Sequence, residues 1–142
     1  MLSEFSNSRF FICTIGRGPG FIVVEALMDE RELKHRTKQF SLRVINLVSA
    51  LPATAAGRAL GNQLVRSGTS VGANYRSACR ARSKAEFISR LGTVEEGADE
   101  SAFWMELIAE ARLMEPRRIA ELLQEANELV AIMVASRKSA SR

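Results

Sequence analysis

Residues 29–52, DERELKHRTKQFSLRVINLVSALP, decide the fold. Within them Leu33, Thr37, Phe40, Val44, Leu47 and Leu51 recur four and three apart, which lines one face of a bundle helix. The stripe runs into Leu51-Pro52, where the proline pushes its predecessor out of helical geometry and stops the element. One long amphipathic helix that stops abruptly needs partners, and the sequence supplies them on the C-terminal side.

The next segment carries Leu60, Leu64, Ser67, Val71 and Ala78 on one stripe, with Gly57, Gly61, Gly68 and Gly72 set four apart in two pairs. Each glycine costs a helix about 1 kcal/mol relative to alanine. Four of them imply a compensating gain, most simply a neighbouring helix packed close; the alternative is a break near Ser67-Gly68. Ser83-Lys84-Ala85-Glu86 reads as a capping box, in which Ser83 accepts from the Glu86 N–H and Glu86 reaches back. It opens a third helix with Phe87, Leu91, Val94, Ala98, Ser101, Met105 and Ile108 on its seam, broadened by Phe103, Trp104 and Leu107. Pro116 suits the first turn of a fourth helix, whose buried face is Ile119, Leu122, Leu123, Ala126, Leu129, Val130 and Met133. Four helices with short connections and no strand signal give an all-α, antiparallel up-and-down four-helix bundle over residues 28–136, followed by a polar, frayed tail at 137–142.

Residues 1–27 differ in composition. They hold Phe5, Phe10, Phe11 and Phe21 and the run Gly16-Arg17-Gly18-Pro19-Gly20, which ends any regular element on either side. Glu4 and Arg9 precede a broken apolar core, against a signal peptide. The flanking apolar runs are too short to span a bilayer. The segment reads as a disordered extension or a mis-assigned start, with Met28 as the natural first residue.

The chain has 142 residues, 46% hydrophobic and 25% charged, the balance of a soluble globular domain. Its two cysteines, Cys13 and Cys79, cannot form a disulfide framework or a four-thiolate zinc site, and suit a reducing cytoplasm. Bundles of this kind house paired metals on two Glu-x-x-His motifs plus two further glutamates. Glu32-Leu33-Lys34-His35 matches once, His35 is the single histidine, and no acid lies between Gly57 and Arg82. A two-metal site is therefore excluded on residue count, and His35 reads as a solvated helix residue. No Gly-x-Ser-x-Gly turn and no phosphate-loop Lys-Ser/Thr is present, so neither nucleophilic nor phosphate-loop chemistry is indicated. Cys79 has flanking arginines that could lower its pKa, but a buried or merely tolerated cysteine is the better reading. No catalytic set, metal or cofactor is expected, and the chain reads as not an enzyme.

The net charge of +4 hides an uneven distribution. Arg58, Arg66, Arg76, Arg80, Arg82, Lys84 and Arg90 face Glu86 alone, whereas the stretch from Glu95 to Glu128 carries ten acids against Arg112, Arg117 and Arg118. Structurally, the second helix could pair its arginines with acids of the third, inside a protomer or between subunits. Functionally, Arg76, Arg80, Arg82, Lys84 and Arg90 form a candidate surface for phosphate backbones, tolerant of sequence and sensitive to salt. Arg66 and Asn74, eight residues apart, are expected to meet Glu95, Asp99 and Glu100 in a polar network that sets register between the second and third helices.

The stretch Gln63-Leu64-Val65-Arg66-Ser67-Gly68-Thr69-Ser70-Val71-Gly72-Ala73-Asn74-Tyr75, continuing through Ser83-Lys84-Ala85-Glu86-Phe87, resembles the four-helix-bundle proteins related to the 23S rRNA intervening-sequence protein. The core Arg-Ser-x-Thr/Ser-Ser-Val/Ile-x-x-Asn followed by Ser-x-x-Glu-Phe carries the resemblance, which covers about residues 29–136. Many members continue after the asparagine with Ile-Ala-Glu-Gly; here Tyr75-Arg76-Ser77-Ala78 stands instead, without the acid. The resemblance implies a non-enzymatic homopentamer. One related group, the accessory variability determinants of diversity-generating retroelements, further implies nucleic acid and a reverse transcriptase as partners. Two functions are thus expected to compete. One is a self-assembling, nucleic-acid-binding accessory protein; the other is a scaffold whose basic second helix pairs with acidic helices of neighbouring subunits.

Overall fold

The structure is a computed structural model and describes residues 13–15, 22–24 and 28–142. Four helices dominate it: α1 Glu30–Ser49, α2 Ala55–Ala78, α3 Lys84–Glu110 and α4 Pro116–Ala140. Their boundaries follow local chemistry. Asp29 caps α1 in a full capping box: its carboxylate accepts from Glu32 N–H at 2.8 Å and Glu32 accepts from Asp29 N–H at 3.2 Å. Thr54 caps α2 through the Gly57 N–H at 3.1 Å. Ser83 caps α3 as expected, but Glu86 reaches past Ser83 to the Arg82 N–H at 2.8 Å, so the box is displaced by one residue. Pro116 stands in the first turn of α4. The end of α3 is a turn the sequence did not announce. Arg112 takes φ 56°, and the N–H groups of Arg112 and Leu113 bond back to Ala109 and Ile108.

Consecutive helices pack extensively, and α4 closes the ring against α1 across a looser seam. Gly61 faces Val48, Gly68 faces Val44 and Gly72 faces Ser41, so α2 runs antiparallel to α1. The seam with α4 descends likewise: Arg36 of α1 meets Glu125 and Glu128, and Arg43 meets Glu121. α2 is unbroken through Ser67-Gly68; Gly61, Gly68 and Gly72 give the proximity to α1 that the spacing implied, whereas Gly57 packs on the Pro52 carbonyl of the preceding connection. Leu33, Thr37, Phe40, Val44 and Leu47 are buried together with Leu64, Val71 and Tyr75 of α2, Leu91, Met105 and Ile108 of α3, and Ile119, Leu129 and Met133 of α4. Each large side chain fully buried there contributes about 1.5–3 kcal/mol.

Two expectations require correction. A two-stranded antiparallel ladder, β1 Cys13–Ile15 with β2 Ile22–Val24, precedes the bundle, with Cys13 opposite Val24 and Ile15 opposite Ile22. β-branched runs favour strand, and the Gly/Pro-rich residues between them in the sequence have the composition of a turn. The bundle itself is all-α. Second, the chain does not fray from 137: α4 continues to Ala140, Arg137 is anchored to Glu95 of α3, and Ser136 before it is buried and donates to Ile132 O at 2.7 Å. The leader and Met28-start reading of residues 1–27 falls mostly outside the described residues.

Candidate functional site

The close approach of α1 and α2 leaves a groove of about 500 Å³ along their outer face. Its floor is made of small residues, Ser41 from α1 and Thr69, Gly72 and Ala73 from α2. A Cβ on Gly72 would stand 2.9 Å from Ser41 Oγ and 3.3 Å from Thr37 O, so glycine is what lets the floor form. The floor's own polar groups are occupied. Ser41 Oγ donates toward the Gly68 carbonyl at 2.9 Å and the Thr37 carbonyl at 3.2 Å, and accepts from Gly72 N–H at 3.3 Å. Thr69 donates to Val65 O at 2.6 Å.

The walls are cationic: Lys34 and Lys38 from α1, Arg76 near the end of α2, and Arg80 just beyond it, with His35 beside them. Lys34 is paired with Glu30 at 2.9 Å. Among the described residues Lys38, Arg76 and Arg80 have no carboxylate partner, although all three are exposed. This arrangement can hold anionic oxygens by charge and by forked guanidinium hydrogen bonds.

The thiol and phenol near the end of α2, outside the residues that line the groove, are chemically quiet. Burial, followed by the nearby Glu30 carboxylate, pushes the Cys79 thiol up to about 12, so it stays protonated and unreactive near neutrality. The lowering that its arginine neighbours would produce in an exposed setting does not occur. Burial likewise raises the Tyr75 hydroxyl above its ordinary range. His35 is exposed on α1, and among the described residues no group of three His, Cys, Asp or Glu side chains could hold a metal ion.

The structure divides the sequence-predicted basic cluster. Arg76 and Arg80 reach the groove. Arg82 and Lys84 are exposed where the chain turns from α2 into α3, and Lys84 Nζ donates to the main-chain oxygen of Arg142 at 3.1 Å. Arg90 is held along α3 by Glu86 at 3.0 Å. The Arg82 N–H and Arg90 together keep the Glu86 carboxyl below the usual carboxylate range. Lys34 and Lys38 were missed. Their signal was the i, i+4, i+7 stripe Lys34-Lys38-Ser41 beside the apolar face of α1, legible once α2 is known to pack there.

The expected network of Arg66 and Asn74 with Glu95, Asp99 and Glu100 does not form within the protomer. Arg66, Asp99 and Glu100 are exposed without an ion pair among the described residues, and Glu95 goes to Arg137. The reason is angular. The α2–α3 seam is centred on Ser67, and Arg66 lies 100° around the helix from it. A buried hydroxyl pair, Ser67 Oγ to Ser101 Oγ at 2.9 Å, supplies the polar contact instead, with Gly97 allowing approach to Ser67 and Ser70. Nor do the α2 arginines pair with α3 acids inside the protomer. Among the described residues no helix is long and apolar enough to cross a membrane.

The comparisons with known proteins agree with this architecture. The model of the 23S rRNA-intervening sequence protein family matches residues 30–135. A crystal structure of a protein of unknown function from the S23 ribosomal protein family of Bacteroides thetaiotaomicron superposes with a TM-score of 0.71 at 27% identity, over 78% of this chain and 99% of that one. No curated protein sequence matches. The chain belongs to the 23S rRNA-intervening sequence protein family.

Proposed function

With that membership as the premise, we propose that the chain is a non-enzymatic, self-assembling bundle that binds the phosphate backbone of RNA in its α1–α2 groove. The observation that carries the reading is the set Lys38, Arg76 and Arg80, which faces one groove and has no carboxylate partner among the described residues. The groove floor offers small residues whose hydroxyls already serve the backbone, so nothing in it is poised to read a base edge. Binding is therefore tolerant of sequence. Assembly into a pentamer rests on the family resemblance, and cytoplasmic residence fits the cysteine usage.

The second reading is a scaffold in which basic and acidic helices pair between subunits. It is favoured by Glu96, Asp99, Glu100 and Glu106 of α3, which are exposed and unpaired among the described residues. Fluorescence anisotropy with two RNA duplexes of unrelated sequence separates the two. Lys38→Ala/Arg76→Ala/Arg80→Ala is expected to weaken both duplexes equally and leave the oligomer mass intact. Arg82→Ala/Lys84→Ala, outside the groove, should change affinity much less. Loss of the oligomer in the groove variant, with no RNA binding by the unaltered protein, would favour the scaffold.

A further inference from the structure

Three large apolar side chains stand exposed among the described residues: Leu42 and Ile45 on α1, 44% and 41% exposed, and Phe103 on α3, 51% exposed. They lie on different faces, because α1 and α3 each neighbour α2 and α4 and so occupy opposite corners of the bundle. Neither patch can cover the other within a protomer.

Their surroundings are opposite in sign. No carboxylate occurs between Leu33 and Ala85, so the charges that α1 contributes around Leu42 and Ile45 are positive: Lys38 one turn away and Arg43 beside them, the latter 4.0 Å from Glu121 of α4. No basic residue occurs between Leu91 and Ala111, and Phe103 sits among the exposed acids Asp99, Glu100, Glu106 and Glu110. Spacings of three, four and seven residues put all four acids around the phenylalanine. The ring is also held in place, packed edge-on against the half-buried Trp104 with centroids 5.1 Å apart and planes at 62°. A fixed aromatic with an acidic rim, and an aliphatic pair with a basic surround, are the two halves of one contact.

We propose that Phe103 of one copy docks on Leu42 and Ile45 of a second copy of this chain, head to tail. Unlike surfaces meeting in this way make a heterologous contact, which extends from copy to copy until the ring closes. The proposal rests on the self-assembly stated above and gives it a surface. Leu42 and Ile45 lie about 6–10 Å along α1 from Lys38, toward the end of the bundle away from Arg76 and Arg80. Assembly and the cationic groove therefore use different parts of the same face.

Complementation between two variants tests it, with mass read by light scattering and helix content by circular dichroism. Phe103→Glu destroys one half of the contact and Leu42→Glu/Ile45→Glu the other. Each variant alone is expected to be a folded monomer. Their equimolar mixture is expected to form one-to-one pairs, since one intact half on each chain permits a single contact and no extension. An oligomer of unaltered mass in either variant overturns the proposed surface while leaving self-assembly standing. A mixture that stays monomeric overturns the head-to-tail geometry. A monomeric unaltered protein refutes the assembly reading itself, and the docking with it. Should glutamate at these positions reduce helix content, Phe103→Ser and Leu42→Ser/Ile45→Ser give the same readout.

Discussion

Gly68→Ala perturbs the point on which the groove depends, the close approach of α1 and α2. An added Cβ would stand 2.6, 2.7 and 2.9 Å from Val44 Cγ1, Cγ2 and Cβ. Val44 is completely buried and β-branched, so it has no alternative rotamer to retreat into. α1 must then move outward as a unit. Alanine brings about 1 kcal/mol of helix propensity. Overpacking of this kind costs about 1–3 kcal/mol. Stretching the 2.9 Å bond from Ser41 Oγ to Gly68 O removes about 1 kcal/mol more. The net expectation is a loss of about 1–3 kcal/mol, or roughly 4–12 °C in Tm for a domain of this size. Gly92→Ala is the control, because a Cβ there meets Arg137 Cδ at a comfortable 3.8 Å and propensity alone should raise stability by up to about 1 kcal/mol. Urea unfolding followed by circular dichroism measures both, and Val44→Ala combined with Gly68→Ala should recover part of the loss. Equal stability of the two alanine variants would refute the reasoning.

Four further outcomes are expected. Arg36→Ala removes the fork from Arg36 to Glu125 at 2.6 and 3.0 Å together with its bond to Glu128 at 2.6 Å, and should destabilise by about 1–3 kcal/mol in urea unfolding. Arg117→Ala breaks an exposed pair with Glu115 and should change stability by less than about 0.5 kcal/mol; similar losses would contradict the special weight given to the α1–α4 seam. Arg112→Gly relieves a non-glycine residue held at φ 56° and should raise the urea midpoint by the equivalent of about 1 kcal/mol. Stability should also fall as pH rises from about 9 toward 12. The unfolded chain releases the Cys79 and Tyr75 protons first, because burial raises both groups in the folded state. Urea midpoints at pH 8 and 10.5 check this, and Cys79→Ala/Tyr75→Phe should show a smaller decline than the unaltered protein.

The architecture was legible because its signals are local. The α1 stripe, the stop at Leu51-Pro52, the Ser83 cap and Pro116 each act within a turn of helix, and three of the four glycines of α2 announced a close neighbour without naming it. The site was less legible because it depends on which helix faces meet. Lys34 and Lys38 join Arg76 and Arg80 through the α1–α2 packing register, which no single segment encodes. Arg82 and Arg90 are near Arg80 in sequence but do not line the groove that Arg80 enters. Arg66 looked like a seam residue on spacing alone, yet the seam centres on Ser67, where a serine pair suits a gap too narrow for a guanidinium. The tail misjudgement has the same origin, since Arg137 is held by Glu95, 42 residues upstream.

The salt dependence of RNA binding tests the central claim most directly. Each phosphate contact contributes a slope of about 0.7–0.9 to the fall of log affinity with log salt concentration. Measured across a salt series on an RNA duplex, the unaltered protein should show a steep slope, and Arg76→Ala/Arg80→Ala should reduce it by about 2 per groove engaged, since each lost cation removes about 1. A slope that those substitutions leave unchanged, or binding indifferent to salt, would contradict a phosphate-binding groove between α1 and α2.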